Sequence, residues 1–285
     1  MRVEWSILGK TNPTALVGAR TLAHRAAQWA TRAARANLEA AADDSHSSLR
    51  WNAEHAWLES QPLATHAGEV RIGIRVADLV LVVVRGGGGL ANFTLAGATD
   101  AAAGAWIDAR LGEVGLKPAG GVKLPYTIPD HSAAAGAGYA VAGATDALAE
   151  LSCWYAAAAA ALENFRAKLA GLSPGPGAVR CWPHHFDIAT LVRLEQGDPE
   201  TARSVGVGFS PGDDFYAQPY FYVSPWPRLD SVGLPDIPAP GHWHTQGFVG
   251  AVATGEAILA QKDRADVVAA FITRAFDISR SRLKI

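Results

Sequence analysis

Four histidines and an aspartate stand in two short segments whose spacing suits chemistry. In Cys181-Trp182-Pro183-His184-His185-Phe186-Asp187, an extended backbone would put His185 and Asp187 on one face and His184 on the other. In His242-Trp243-His244 the same alternation puts both imidazoles on one face. Imidazole nitrogens and a carboxylate oxygen are donors that zinc and other divalent ions accept. Histidine also exchanges protons near neutral pH, so the same groups suit general acid–base work. His185, Asp187, His242 and His244 are therefore the candidate metal set, with a divalent metal as the candidate cofactor. The same side chains, with His184, would equally line a polar ligand pocket or stand as structural and surface histidines.

Three further groups are candidates for ligand binding. Asp213 and Asp214 follow Ser210-Pro211-Gly212. Aspartate is favoured in such turns because its carboxylate bonds nearby backbone amides. A turn role is the first expectation for Asp213, a ligand-binding carboxylate the second. His24 and Gln28 are four residues apart in a helical pattern and share a face. Trp51, Asn52, His55 and Trp57 read as one strand that could give a pocket aromatic walls and a few polar groups. Some familiar signatures are missing. The glycine run 86–89 has no following Lys-Ser or Lys-Thr, so it is not a phosphate-binding loop. There is no His-Glu-x-x-His helix and no Cys-x-x-Cys pair.

The elements that must position these residues can be read from periodicity. Residues 14–42 recur apolar at helical spacing through Leu16, Ala19, Ala23, Ala26, Ala27, Ala30 and Ala34, with Arg20, Arg25, Arg32 and Arg35 elsewhere. Apolar stretches at 49–58, 70–76 and 79–84 follow, then a short strand at 91–95. Thr99-Asp100 opens a second helix that ends before Gly115. A long helix runs from Asp146 to about Leu169 and is stopped by the Pro/Gly cluster 171–177. Strands at 186–194, 205–209 and 220–223 form an antiparallel meander. A proline-marked loop, one more strand at 247–252 and a closing helix complete the chain.

Runs of strands flanked by runs of helices favour α+β over a doubly wound parallel sheet. The expected fold is antiparallel β-meanders packed against long helices, with the order helix, strands, helix occurring twice and suggesting two similar halves. The 285 residues read as a single integrated unit. The alternative is a subdivision into an N-terminal half, 1–116, and a C-terminal half, 144–285, joined by the Pro-, Gly- and Ala-rich connection 117–143.

Composition bounds the partners. Hydrophobic residues make up 49% and charged residues 18%, enough apolar material for a sizeable core. A net charge of −2 gives no electrostatic reason for a nucleic acid or an anionic membrane surface. The two cysteines, Cys153 and Cys181, make neither a disulfide framework nor a zinc ribbon, and a reducing compartment fits them. The longest uncharged apolar run, 153–162, is half the ~20 residues that span a bilayer. Met1-Arg2-Val3-Glu4-Trp5 lacks a basic segment followed by an apolar one, so a cytoplasmic protein is expected. A homo-oligomer is compatible with this composition.

The segment Asn164-Phe165-Arg166-Ala167-Lys168-Leu169 and the later Phe186-Asp187-Ile188-Ala189 resemble the middle of a family of uncharacterised bacterial proteins. The likeness continues through Val205-Gly206-Val207-Gly208-Phe209-Ser210-Pro211-Gly212-Asp213 and Tyr220-Phe221-Tyr222-Val223-Ser224-Pro225. It is clearest over residues 163–227. In the N-terminal half Thr21-Leu22, His24, Gln28 and Trp51 resemble it. That family is catalogued as a domain of unknown function. The resemblance implies a bacterial, cytoplasmic protein and supplies no activity; it carries Asp187 over better than His184 or His185.

The leading functional expectation is a small-molecule-binding protein whose aromatic pocket takes polar groups from His184 or His185, Asp187 and the His242/His244 segment. A metal-assisted hydrolase using His185, Asp187, His242 and His244 is the second. A structural or protein-interaction module is the third, for which an exposed aromatic patch at Tyr220, Tyr222 and Trp226 would speak.

Overall fold

The computed structural model describes residues 4–86, 88–198 and 201–284. Of the glycine run 86–89, Gly87 lies outside the described residues. In chain order the regular elements are α1 (Val17–Asn37), β1 (Leu49–Asn52), β2 (Trp57–Ser60), β3 (Leu63–Thr65), β4 (Gly68–Arg75), β5 (Val80–Arg85) and β6 (Gly88–Thr94). Then come α2 (Asp100–Glu113), α3 (Thr145–Lys168), β7 (Gly175–Pro176), β8 (Arg180–Trp182), β9 (Asp187–Arg193) and β10 (Ser204–Ser210). The chain closes with β11 (Tyr220–Trp226), β12 (Gly241–His244), β13 (Gly250–Thr254), α4 (Gly255–Leu259) and α5 (Arg264–Arg282). Every paired strand is antiparallel, and the chain is an α+β protein. No described helix is long and apolar enough to cross a membrane.

The chain forms two compact units, each assembled from separate stretches of sequence. The N-terminal unit holds residues 15–153 and 181–186. The C-terminal unit holds 1–14, 154–180 and 187–285. The boundary in the middle of the chain falls inside α3, between Cys153 and Trp154, and the whole of 117–143 belongs to the N-terminal unit.

In the N-terminal unit the strand order is β8-β1-β2-β4-β5-β6, with β3 on β4. Leu49 of β1 pairs with Cys181 of β8 on one side and with Ser60 of β2 on the other. Helix α1 lies against β2 and β4. It is buried on most of its circumference: Leu22, Ala23, Ala26, Ala27, Trp29, Ala30, Ala33 and Ala34 all have 4% exposure or less. Alanine suits a helix enclosed on several sides, because it lets neighbouring backbones approach and loses no side-chain entropy. The 117–143 stretch is tied to this unit by side chains. The Asn37 amide exchanges two hydrogen bonds with the backbone of Lys117, at 2.8 and 3.1 Å. The Tyr139 hydroxyl donates to Asp100 at 2.5 Å, and Asp100 also pairs with Arg25.

In the C-terminal unit the order is β12-β13-β11-β10-β9, with β7 on β9. Strand alternation divides the side chains between two faces. Phe209 and Phe221 point to the helical face. Phe209 meets Trp154 and Tyr155 of α3 at ring distances of 5.9 and 5.8 Å, and Phe221 meets Trp5 at 6.1 Å. Phe165 of α3 meets Phe276 of α5 at 5.2 Å, so both helices cover this one face. The opposite face carries Ala189, Gly206, Gly208, Ser224, Tyr220 and Tyr222.

Three expected elements differ. Residues 49–58 are not one strand but two, β1 and β2, around a turn at 53–56 that contains His55. Part of the proline-marked loop is strand β12, whose partner β13 supplies four aligned residues. The third difference is the turn at 183–186, which the alternating reading of His184, His185 and Asp187 assumed to be extended. Both turns end in a left-handed residue that is not glycine, Ala56 at φ 53° and Phe186 at φ 59°.

Candidate functional site

The 183–186 turn is closed by the His185 and Phe186 amides, which donate to the Trp182 carbonyl at 3.2 and 2.7 Å. The turn rests on α1. The Pro183 carbonyl accepts from His24 Nε2 at 2.8 Å and from the Gln28 side-chain amide at 2.9 Å. A carbonyl only accepts, so His24 carries its proton on Nε2. Its ring lies parallel to Phe186 with centroids 5.0 Å apart. Burial pushes the His24 pKa down to about 4, so the ring is neutral at physiological pH. Gln28 uses its other N–H on the His24 carbonyl at 3.1 Å and accepts from the Tyr126 hydroxyl at 2.9 Å. Burial raises the Tyr126 phenol to about 12. His24 and Gln28 thus act as a clamp on the turn. His184 and His185 stand beside each other with ring centroids 4.4 Å apart, and burial lowers the pKa of His184. Trp51 lies elsewhere in the same unit, half-buried on β1 opposite Leu58.

The C-terminal unit holds a second network. Asp187 is the first residue of β9 and is buried. Its Oδ2 accepts from the Tyr222 hydroxyl at 2.5 Å, although β10 lies between the two strands. Gly208 of β10 makes this reach available. A Cβ at that position would sit 2.5 Å from the Tyr222 hydroxyl and 2.8 Å from the Ala189 Cβ, so the phenol ring occupies the space that a side chain would fill. Burial, and then the Asp187 carboxylate, hold the Tyr222 phenol well above its ordinary pKa. Tyr220 donates to Asp213 Oδ2 at 2.5 Å, and its pKa is likewise raised, by burial first and then by Asp213. Asp213 Oδ1 accepts from the amides of Phe215 and Tyr216 at 2.9 and 3.0 Å. Asp213 therefore performs the expected turn role and also anchors Tyr220.

Tyr216 completes the array. Its hydroxyl lies 3.0 Å from His242 Nε2 and 2.9 Å from His244 Nδ1. His244 Nε2 meets the Gln246 carbonyl, so that nitrogen bears the proton and Nδ1 is the acceptor. Tyr216 must then donate to His244 and accept from His242 Nε2–H. The outward nitrogen of His242, Nδ1, is left as a base. Burial first and His244 second lower the pKa of His242.

Beside this array runs a row of small residues. Gly206 of β10 is paired with Leu191 of β9 on one side and Ser224 of β11 on the other, and Gly250 of β13 is paired with His244. On β11, Tyr222 and Trp226 stand two positions to either side of Ser224, on the same face. Gly206 and Ser224 are half-buried, whereas Leu191 and Trp226 are 47% and 48% exposed. These positions form one row across neighbouring strands, glycine and serine at its middle, with Tyr222 and Trp226 to either side along β11 and the imidazole and phenol groups at one end.

The predicted candidates therefore divide between the two units. His24, Gln28, Trp51, His184 and His185 belong to the N-terminal unit; Asp187, Asp213, His242 and His244 belong to the C-terminal one. Among the described residues no group of three or more His, Cys, Asp or Glu side chains is placed to hold a metal ion, so the four-residue metal set is not assembled. Sequence reasoning missed Tyr126, Tyr216 and Gly208 as members of these networks. The alternation Val205-Gly206-Val207-Gly208-Phe209 carried a signal, because glycine on every second position marks a face over which something else must lie. Compared with protein-family models, with curated proteins and with solved structures, the chain matches none.

Proposed function

We propose that the chain binds a small, flat organic molecule in a trough floored by this glycine–serine row of the C-terminal unit. The observation that carries this reading is the Leu191–Gly206–Ser224 row lying between Tyr222 and Trp226 on the face away from the helices. Ligand sites combine aromatic walls with a few placed polar groups, and this row has both. The Tyr222 hydroxyl is committed to Asp187, so Tyr222 offers its ring rather than a proton. The Ser224 hydroxyl and His242, through Nδ1, supply the polar edge. A planar heterocycle with hydrogen-bonding edges matches that pattern.

The test is a thermal-shift screen of planar heterocycles against the chain and against Gly206→Leu, which fills the floor. A ligand at a hundred times its Kd stabilises by about 2.7 kcal/mol, a readily measured shift. The reading expects at least one compound class to raise the Tm of the natural chain and not of the variant. It fails if no compound acts, or if both proteins respond equally. A second reading rests on the exposure of Leu191 and Trp226, apolar residues on one face that suit a protein partner. Mass that grows with concentration and returns to monomer in Trp226→Ser would favour that one.

A further inference from the structure

We propose that Tyr216, His242 and His244 bind one divalent transition-metal ion of the copper(II) type. The ligand set is two imidazole nitrogens and a phenol oxygen. The distances between them are 3.0 Å from His242 Nε2 to the Tyr216 oxygen and 2.9 Å from that oxygen to His244 Nδ1. These are the hydrogen bonds that join the three groups, and they place both ring nitrogens next to one phenol oxygen. Among divalent first-row ions copper(II) has the highest affinity for a nitrogen and oxygen donor set, and imidazole suits it.

The surroundings orient the ligands as metal-binding histidines are usually oriented. His244 donates its Nε2–H to the Gln246 carbonyl, which leaves Nδ1 unprotonated with its lone pair directed at the Tyr216 oxygen. Its ring is stacked on Phe248 at 4.2 Å and edged by Phe215 at 5.1 Å. Tyr216 is fixed by the Asp213 turn, through its amide and its carbonyl. His242 is exposed, so an ion and its remaining water ligands have access. Binding balances with the release of one proton: Tyr216 loses its phenol hydrogen to solvent, and His242 moves its ring hydrogen from Nε2 to Nδ1.

The experiment titrates the full chain with copper(II) sulfate, with glycine present as a weak competitor. One equivalent should bind and develop a visible phenolate-to-copper charge-transfer band. Tyr216→Phe should lose that band and keep the weaker absorption of a bis-imidazole copper site. His244→Ala should lose both. The double variant His184→Ala/His185→Ala, which removes the other adjacent histidine pair, should change neither. Circular dichroism and Tm establish that each variant is folded. A missing band in the natural chain, a band that survives Tyr216→Phe, or one lost in the His184/His185 variant would overturn the proposal. The trough reading is tested with organic ligands alone and stands or falls separately.

Discussion

Tyr222 reaches Asp187 across a strand because position 208 lacks a Cβ. The backbone there is extended, so alanine would fit the chain but not the space. Gly208→Ala is expected to destabilise the protein by about 1–3 kcal/mol, the usual penalty of overpacking. Urea denaturation measures it, and Tyr222→Ala in the same chain should remove the part due to the phenol, leaving the contact with the Ala189 Cβ. A second expectation at this scale concerns His24. Its folded pKa, about 4, lies below the ordinary 6.5, so the unfolded chain takes up a proton before the native one does. The stability that the neutral ring contributes is intact above pH 6.5 and falls as the pH drops toward 4. From pH 7 to pH 5 the loss traceable to His24 is about 2 kcal/mol. His24→Gln, which still has an N–H to offer the Pro183 carbonyl, should flatten that slope; an unchanged slope would refute the assignment. The alternating glycines signalled the first feature, but the second could not be read from the chain, since residue types alone do not show that position 24 meets a carbonyl at position 183.

At the level of elements, helix α2 contains two glycines with opposite expected behaviour. A Cβ at Gly104 would sit 2.9 Å from the Trp29 ring, whereas nothing lies within 4 Å of one at Gly112. Trp29 is buried and carries Arg32 over its face at 4.9 Å, which limits its freedom to yield. Glycine in a helix interior is worth about 0.5–1 kcal/mol less than alanine. Gly112→Ala should therefore raise stability by about that amount. Gly104→Ala should lower it despite the same gain in propensity. Paired denaturation curves decide, and two shifts of the same sign would contradict the packing argument. Helices such as α2 were legible because local signals govern them: of the Thr99-Asp100 pair expected to open it, Thr99 is the N-cap, and its side chain accepts from the Ala102 amide at 3.2 Å. The short elements were not. The 183–186 turn has no glycine or asparagine at its left-handed position, where Phe186 stands, so tertiary packing overrode the usual turn chemistry. Strand β12 was hidden among prolines because its pairing with β13 leaves only four residues to announce it.

For the molecule as a whole, the sequence conveyed the fold class and the repeated helix–strands–helix order, because both follow from hydrophobic periodicity. It did not convey how the chain is partitioned. Residues 181–186 belong to the N-terminal unit although more than twenty residues of the C-terminal one, 154–180, precede them. Fragment 15–153 alone lacks β8, one of the two partner strands of Leu49, and the carbonyl that receives His24 and Gln28. Each buried donor left unpaired costs about 1–3 kcal/mol. The fragment is expected to lack a cooperative urea transition, and to gain one when residues 180–186 are appended through a flexible linker. Equal behaviour of the two constructions would show that the segment is dispensable.

The interleaving of the two units also has a consequence for biosynthesis. A ribosome that has delivered all of α1 to β6 has not yet delivered the strand and turn that close around them. Residues 4–14 wait longer still, since the Arg264 guanidinium that holds the carbonyls of Trp5 and Leu8 comes near the end of translation. The N-terminal unit lacks its closing strand and turn until residue 186 is made, and the C-terminal unit lacks its hold on Trp5 and Leu8 until Arg264 is, so part of the nascent chain must stay soluble in an unfinished state until almost its last residues are in hand.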